Sequence, residues 1–202
     1  MKPRSDTPVS PELSGYEVVV AVCGGIAAYK VCHVVSALAQ RGVGVTVAMT
    51  RAARRFVGEA TFGALSGRPV LTSLWAPAAY YDPQHVRLTE ALDALLVAPA
   101  TYNMIGKIAS GVADDVVSTL VCSAEAPILL APAMNVRMWQ NPVCQENVRR
   151  LSELGYRLVG PGEGWLACRD VGAGRMAEAE QILQALIGQL RSAPPKAAGA
   201  TQ

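Results

Sequence analysis

Five short apolar runs, separated by stretches of helical periodicity, constrain this chain more than any other feature. Residues 17–23 (EVVVAVC) are largely β-branched and end in Gly24-Gly25, after which a helical pattern fills 26–40. Residues 43–49 form a second run, followed by Thr50 and a basic helical stretch at 51–56. Residues 94–98, 128–131 and 157–159 are the third, fourth and fifth. Helices are predicted over 60–66, 85–91, 103–122 and 142–154, with a closing helix at 177–190. Short, continuously apolar strands alternating with helices mark a parallel sheet buried on both faces and joined by right-handed crossovers. The predicted fold is therefore α/β, a single doubly wound parallel sheet of flavodoxin or Rossmann type. It should occupy residues 16–191, between loose segments at 1–15 and 192–202.

Composition narrows the function classes. With 51% hydrophobic and 17% charged residues in 202, the chain has enough apolar material for a substantial core. A net charge of +2 gives no reason to invoke nucleic acid. No apolar run approaches the eighteen or so residues that a membrane span needs, and the proline-bearing start lacks the apolar core of a signal peptide. Five cysteines, an odd number scattered through apolar segments, read as reduced thiols in a cytoplasmic protein. No C-x-x-C occurs and neither histidine stands near a cysteine pair, so no metal site is expected.

Ligands of open α/β sheets bind at the carboxyl ends of the strands, so the residues there matter most. CGGIAAYK after the first strand is not G-x-G-x-x-G, and no acid ends the second strand to hold a ribose diol. Gly24-Gly25 is either a plain strand-to-helix turn or a seat for a phosphate at a helix N-terminus. Thr50 ends the second strand, and Thr101, after Ala98-Pro99-Ala100, is placed to cap the next helix. Such ends suit a mononucleotide better than a dinucleotide. The fourth strand delivers Pro132-Ala133-Met134-Asn135, whose carboxamide can hold a carboxylate or an amide. Cys168 differs from Cys23, Cys32, Cys122 and Cys144, which read as structural thiols. It stands on a glycine-rich flap beside Arg169 and Asp170, either an incidental loop residue or a reactive thiol. Of the two histidines, His33 lies in a helical pattern and reads as structural; His85 opens a helix after a turn-prone segment and is the candidate base.

These residues together resemble the flavin-containing cysteine decarboxylases, and among them the phosphopantothenoylcysteine decarboxylases. The likeness runs over residues 18–182. It is carried by Gly24-Gly25-Ile26-Ala27-Ala28-Tyr29-Lys30, His85, Ala98-Pro99-Ala100-Thr101, Ala113-Asp114-Asp115, Pro132-Ala133-Met134-Asn135 and Met138-Trp139. Gln145-x-Asn147 and the flap from Ala167-Cys168 to Gly174-Arg175-Met176 complete it. The resemblance implies FMN held by Gly24, Gly25, Ile26, Thr50, Phe56, Pro99, Ala100, Thr101 and Asn103. It implies substrate contacts from Met134, Asn135, Ala167, Cys168, Gly174, Arg175 and Met176, with His85, Asn135 and Cys168 catalytic.

The implied chemistry is oxidation of the CH₂–SH carbon by the flavin to a thioaldehyde, loss of CO₂ to an enethiolate, then return of hydride with Cys168 as proton donor. Without that return the enethiol itself is the product. The substrate is then 4′-phosphopantothenoylcysteine or, alternatively, the C-terminal cysteine of a peptide. A non-catalytic flavin-binding regulatory subunit is a third reading, and a flavin prenyltransferase fits less well because its first loop carries serine. The family also implies a homo-oligomer, a trimer or a dodecamer, and a ligase on a separate protein. Arg169 departs from the glycine most relatives carry after the flap cysteine.

Overall fold

The structure, a computed structural model, describes residues 12–75, 88–165, 167 and 169–196. Strands β1 (Glu17–Val22), β2 (Gly44–Met49), β3 (Ala94–Ala100), β4 (Ile128–Pro132) and β5 (Arg157–Leu158) form one parallel sheet in the order β2-β1-β3-β4-β5. That is the flavodoxin-like order, whose switch point lies between β1 and β3. The expected fold class is the one observed. β3 and β4 are buried along their whole length and β1 along all but its first residue, which explains apolar runs without a polar alternation.

Alternate residues of each strand serve opposite layers. Val18, Val20 and Val22 of β1 pack against α1 (Ala28–Gln40), α2 (Glu59–Ser66) and α7 (Ala179–Leu190). Val19 and Ala21, with Leu95 and Val97 of β3, pack against α3 (Tyr102–Ser110), α4 (Val116–Ser123) and Leu151 of α6 (Pro142–Glu153). Phe62, Leu38, Leu96 and Leu129 are among the largest side chains completely enclosed.

Several predicted elements needed correction. The single helix expected over 103–122 is two. α3 ends where Gly111 turns left-handed at φ 69°; α4 begins at a capping box in which Asp115 Oδ1 accepts from Ser118 N at 2.9 Å. Both signals, a glycine C-cap and Asp-x-x-Ser, are local. The stretch at 51–56 is only a 3₁₀ turn, Ala53–Arg55, and α1 starts two residues later than its periodicity suggests. A short helix α5 (Val136–Gln140) and an antiparallel hairpin, β6 (Gly162–Trp165) with β7 (Val171–Arg175), were not expected. Of the helix predicted at 85–91, residues 88–90 are helical and 85–87 lie outside the described residues.

At the amino-terminal end of the parallel strands, opposite the site, one carboxylate ties three segments together. Asp93 accepts from Glu17 N and from Lys196 N, each at 2.7 Å. Leu13 is buried nearby, its N–H donating to Arg41 O. No described helix is long and apolar enough to cross a membrane.

Candidate functional site

The carboxyl ends of β1 to β4 open into one cavity of about 1000 Å³, and the β6–β7 hairpin forms its far wall. Gly24 and Gly25 play different parts in it. A Cβ on Gly24 would overlap Ala52, reaching its carbonyl carbon at 2.9 Å, so the β1–α1 turn and the turn after β2 touch there only because that side chain is absent. A Cβ on Gly25 would meet nothing closer than 3.7 Å, from Pro99 and Thr101. The protein itself therefore does not demand glycine at 25, and the space beside it is open to a ligand.

α1 begins beside that space at Ala27 with no side-chain cap and no acid in its first turn. Its free N–H groups and positive dipole end are a ready anion site. Thr50 Oγ1 accepts from Ala53 N at 3.2 Å, and Thr101 Oγ1 accepts from Met104 N at 3.4 Å. Both hydroxyls thus hold their turns through acceptor lone pairs and keep their own O–H for the cavity they line. Ile26 and Asn103 line it too. Ala100 is buried behind the wall, Pro99 lies behind Gly25, and Phe56 stands on the surface beyond the 3₁₀ turn.

Asn135 is the N-cap of α5: its Oδ1 accepts from Met138 N at 2.9 Å. Only the carbonyl oxygen can accept from an N–H, so the orientation of the amide is fixed and its NH₂ remains as a donor at the cavity wall. A donor there binds a carboxylate or carbonyl oxygen. The capping residue and the candidate substrate ligand are one and the same.

The hairpin is seated on this turn by two glycines spaced to share a face of β7. Met134 N donates to Gly174 O at 2.9 Å. Gly174 has φ 127°, and a Cβ on it would stand 2.5 Å from Met134 O. A Cβ on Gly172 would come within 2.8 Å of Val136 Cγ2. Ala167, Arg175 and Met176 join Met134 on the wall. His85 and Cys168 lie outside the described residues.

Each thiol with a resolved shift is held protonated by its surroundings. Burial pushes Cys23 up to about 12 and also raises Cys32 and Cys144. Sequence reasoning passed over Lys30, Arg51, Lys107 and Asp115, all on the cavity wall. Lys107 Nζ donates to Asp114 at 2.6 Å and to Asp115 at 2.8 Å. For Asp115, partial burial opposes ionisation, but hydrogen bonds from Lys107 and the Ser118 amide outweigh it and hold the carboxyl below its usual value. The Lys30 and Asp114-Asp115 positions stood inside recognised motifs; what the sequence lacked was the contact that gives them a partner. Among the described residues no cluster suits a metal ion.

Residues 6–191 match the family described as Flavoprotein. The coenzyme A biosynthesis bifunctional protein CoaBC of Vibrio vulnificus (strain YJ016) is 43% identical over 171 residues, which cover 85% of this chain and 43% of that protein. CoaBC of Bacillus subtilis (strain 168) is 43% identical over 172 residues, covering 85% and 42%. This chain thus spans less than half the length of the curated relatives it matches. A PPC decarboxylase carrying a Cys-to-Ser mutation, complexed with pantothenoylaminoethenethiol, superposes with a TM-score of 0.77 at 27% identity, over 85% of this chain and 96% of that one. The FMN-dependent cysteine decarboxylase SpaF superposes at 0.74 with 34% identity, over 88% and 98%. With nearly all of its folded part matched and the strand order that the site requires, the chain belongs to the Flavoprotein family.

Proposed function

We propose that this protein binds FMN and decarboxylates a cysteinyl carboxylate, with 4′-phosphopantothenoylcysteine as substrate and 4′-phosphopantetheine as product. The observation that carries this reading is the seat of the hairpin. Gly172 and Gly174 press it onto the Met134-Asn135 turn, so that one cavity joins a mononucleotide cradle to an oriented amide donor. The cradle fits FMN: Gly25 leaves room for a flat ring system, the uncapped start of α1 suits a phosphate, and the hydroxyls of Thr50 and Thr101 are free to donate. FMN held there would supply the electron sink that oxidation of the thiol-bearing carbon needs before the neighbouring carboxylate can leave as CO₂.

The protein's own contributions follow from the geometry. Asn135 Nδ2 donates to the departing carboxylate or to the amide that carries it, fixing its orientation. The hairpin covers the substrate and excludes water. His85 handles a proton in the decarboxylation, and Cys168 protonates the carbon that has lost CO₂, next to the thiol-bearing carbon to which the hydride would return. Substrate supply requires an amide-forming ligase acting before this step. The names of the CoaBC relatives and of the PPC decarboxylase support the coenzyme A assignment.

A second reading, the C-terminal cysteine of a peptide as substrate and an enethiol as product, is favoured by one observation. Arg169 occupies a left-handed position, φ 65°, and places a long cation beside Cys168 in the sequence. Mass spectrometry of the purified protein with each substrate separates the two. Loss of CO₂ with a saturated thiol product from phosphopantothenoylcysteine is expected. Release of an enethiol from a Cys-terminated peptide alone transfers the assignment, and no CO₂ from either leaves a flavin-binding regulatory subunit.

We also place the protein in the cytoplasm as a homo-oligomer, a trimer or a dodecamer. Ile26, Tyr29 and Trp165 line the cavity yet are 57%, 54% and 63% exposed, an apolar rim that a second copy would cover. Sedimentation showing a fully active monomer refutes this.

A further inference from the structure

Glu178, just before α7, has no part in the chemistry above, yet it joins two elements that enclose the cavity. Its carboxylate accepts from Lys30 Nζ at 3.0 and 3.2 Å and forms an ion pair with Arg175, Nη2 to Oε1 at 2.6 Å. Lys30 stands in the first turn of α1, the helix whose N-terminus opens on the cavity, and Arg175 is the last residue of β7. Both cations line the cavity.

The geometry around this carboxylate is prepared on each side. A Cβ on Gly164, in the opposing strand β6, would lie 3.2 Å from Arg175 Nη1, so the guanidinium passes close over this glycine. The backbone N–H of Glu178 donates to Gln181 Oε1 at 3.0 Å, which fixes the origin of the side chain at the start of α7. α7 in turn is anchored in the core by Ile182, Leu183 and Leu186. The hairpin has no such anchor: of the described residues in its strands, only Gly174 is buried. Remove the carboxylate and two like charges face each other across the junction of hairpin and α1.

We propose that Glu178 is a positioning residue: by bridging Arg175 of the hairpin and Lys30 of α1 it sets the hairpin's place over the cavity. Its consequence for substrate rests on the decarboxylase reading given above; the tie itself does not. Exposed ion pairs add little to global stability, so a surface pair without this function predicts no change in either the hairpin or the kinetics on its removal. A positioning tie predicts a local change confined to β7 and to substrate binding.

The test uses the FMN-loaded protein with Glu178→Gln and the conservative Glu178→Asp, following amide hydrogen exchange and the kinetics of CO₂ release. In Glu178→Gln the amides of β7 should exchange about three- to tenfold faster while the parallel sheet is unaffected. KM for the cysteinyl substrate should rise about fivefold with kcat within about twofold, the pattern of lost binding rather than lost chemistry. In about 1 M salt, where screening shortens to about 3 Å, wild type should approach the variant. Glu178→Asp should keep most of the wild-type behaviour. Unchanged β7 exchange in Glu178→Gln overturns the proposal, as does faster exchange spread evenly over the sheet or a fall in kcat at constant KM. If wild type releases no CO₂ from any cysteinyl substrate, the functional reading fails, and β7 exchange still decides the tie.

Discussion

Gly174→Ala is the substitution that most directly probes how the site is closed. The new Cβ would stand 2.5 Å from Met134 O and 3.4 Å from the Asn135 carbonyl carbon, both backbone atoms that cannot step aside. The residue sits at φ 127°, a region open to glycine and closed to alanine. Such strain costs of order 1–3 kcal/mol. Relieving it by lifting β7 gives up the 2.9 Å bond from Met134 N to Gly174 O, worth about 0.5–1.5 kcal/mol. The bond is lost on unseating in wild type as well, so the strain alone, about 1–3 kcal/mol, shifts the seated hairpin toward an unseated one by roughly five- to 150-fold.

That cost falls on the hairpin alone, because its strands contribute almost nothing to the two core layers. The melting temperature should therefore move by no more than about 2–4 °C, while kcat/KM for CO₂ release drops by the larger factor. Gly172→Ala is the internal control. It has no positive φ, and its Cβ would meet the end of the Val136 side chain at 2.8 Å, a repacking cost of about 1 kcal/mol. An active Gly174→Ala enzyme, or a Gly172→Ala enzyme more damaged than it, refutes the seating argument.

Gly24→Ala should destabilise the apoprotein, since its clash is with Ala52, whereas Gly25→Ala should leave the apoprotein's melting intact and weaken FMN; calorimetry and flavin fluorescence titration separate them. Arg169→Gly should relieve the left-handed strain, net of glycine's extra freedom when unfolded, by about 0.5–1 kcal/mol, and β7 amides should exchange about two- to fivefold more slowly. Against its partial burial, hydrogen bonds from Lys107 and the Ser118 amide hold Asp115 below the usual carboxylate range, so its contribution to stability is complete above the unfolded carboxylate range and is lost as pH falls through the depressed value. Asp115→Asn keeps the helix cap but loses the charged bond to Lys107, and its acid unfolding limb should be correspondingly shallower.

The sheet was legible because its evidence is local. Val18 to Val22 and Leu95 to Val97 are apolar without alternation, as strands buried on both faces of a parallel sheet are, so composition and element order give the fold class, while the strand order rests on long-range pairing. The break at Gly111 was equally local and was missed because the apolar period runs on across it, in Ile108 and Val116. The hairpin was hidden for a physical reason. Its strands, GEGW and VGAGR, are glycine-rich and only partly buried, so neither period nor β-propensity marks them. Their order comes from what they rest on, and that is a long-range contact. Asn135 and the glycine cradle could be singled out from sequence because strand ends are identifiable; that one amide serves as both cap and ligand could not.

A two-stranded hairpin is marginal by itself in water, which makes the seat and not the strands the determinant of function. Three attachments hold it: the backbone bond at Gly174, the close approach of Gly172 to Val136, and the Arg175–Glu178–Lys30 bridge. The first two join it to the turn that carries Asn135. The third joins it to the helix that begins the mononucleotide cradle. The cavity lies between two surfaces that the sheet fixes independently, and the hairpin is the element attached to both. Weakening the glycine seat or the bridge should therefore lower kcat/KM without unfolding the core, and combining Glu178→Gln with Gly172→Ala should cost more than the sum of the two, because each attachment limits the motion that the other loss would release. Strict additivity in kcat/KM would show that the two attachments do not act on one body.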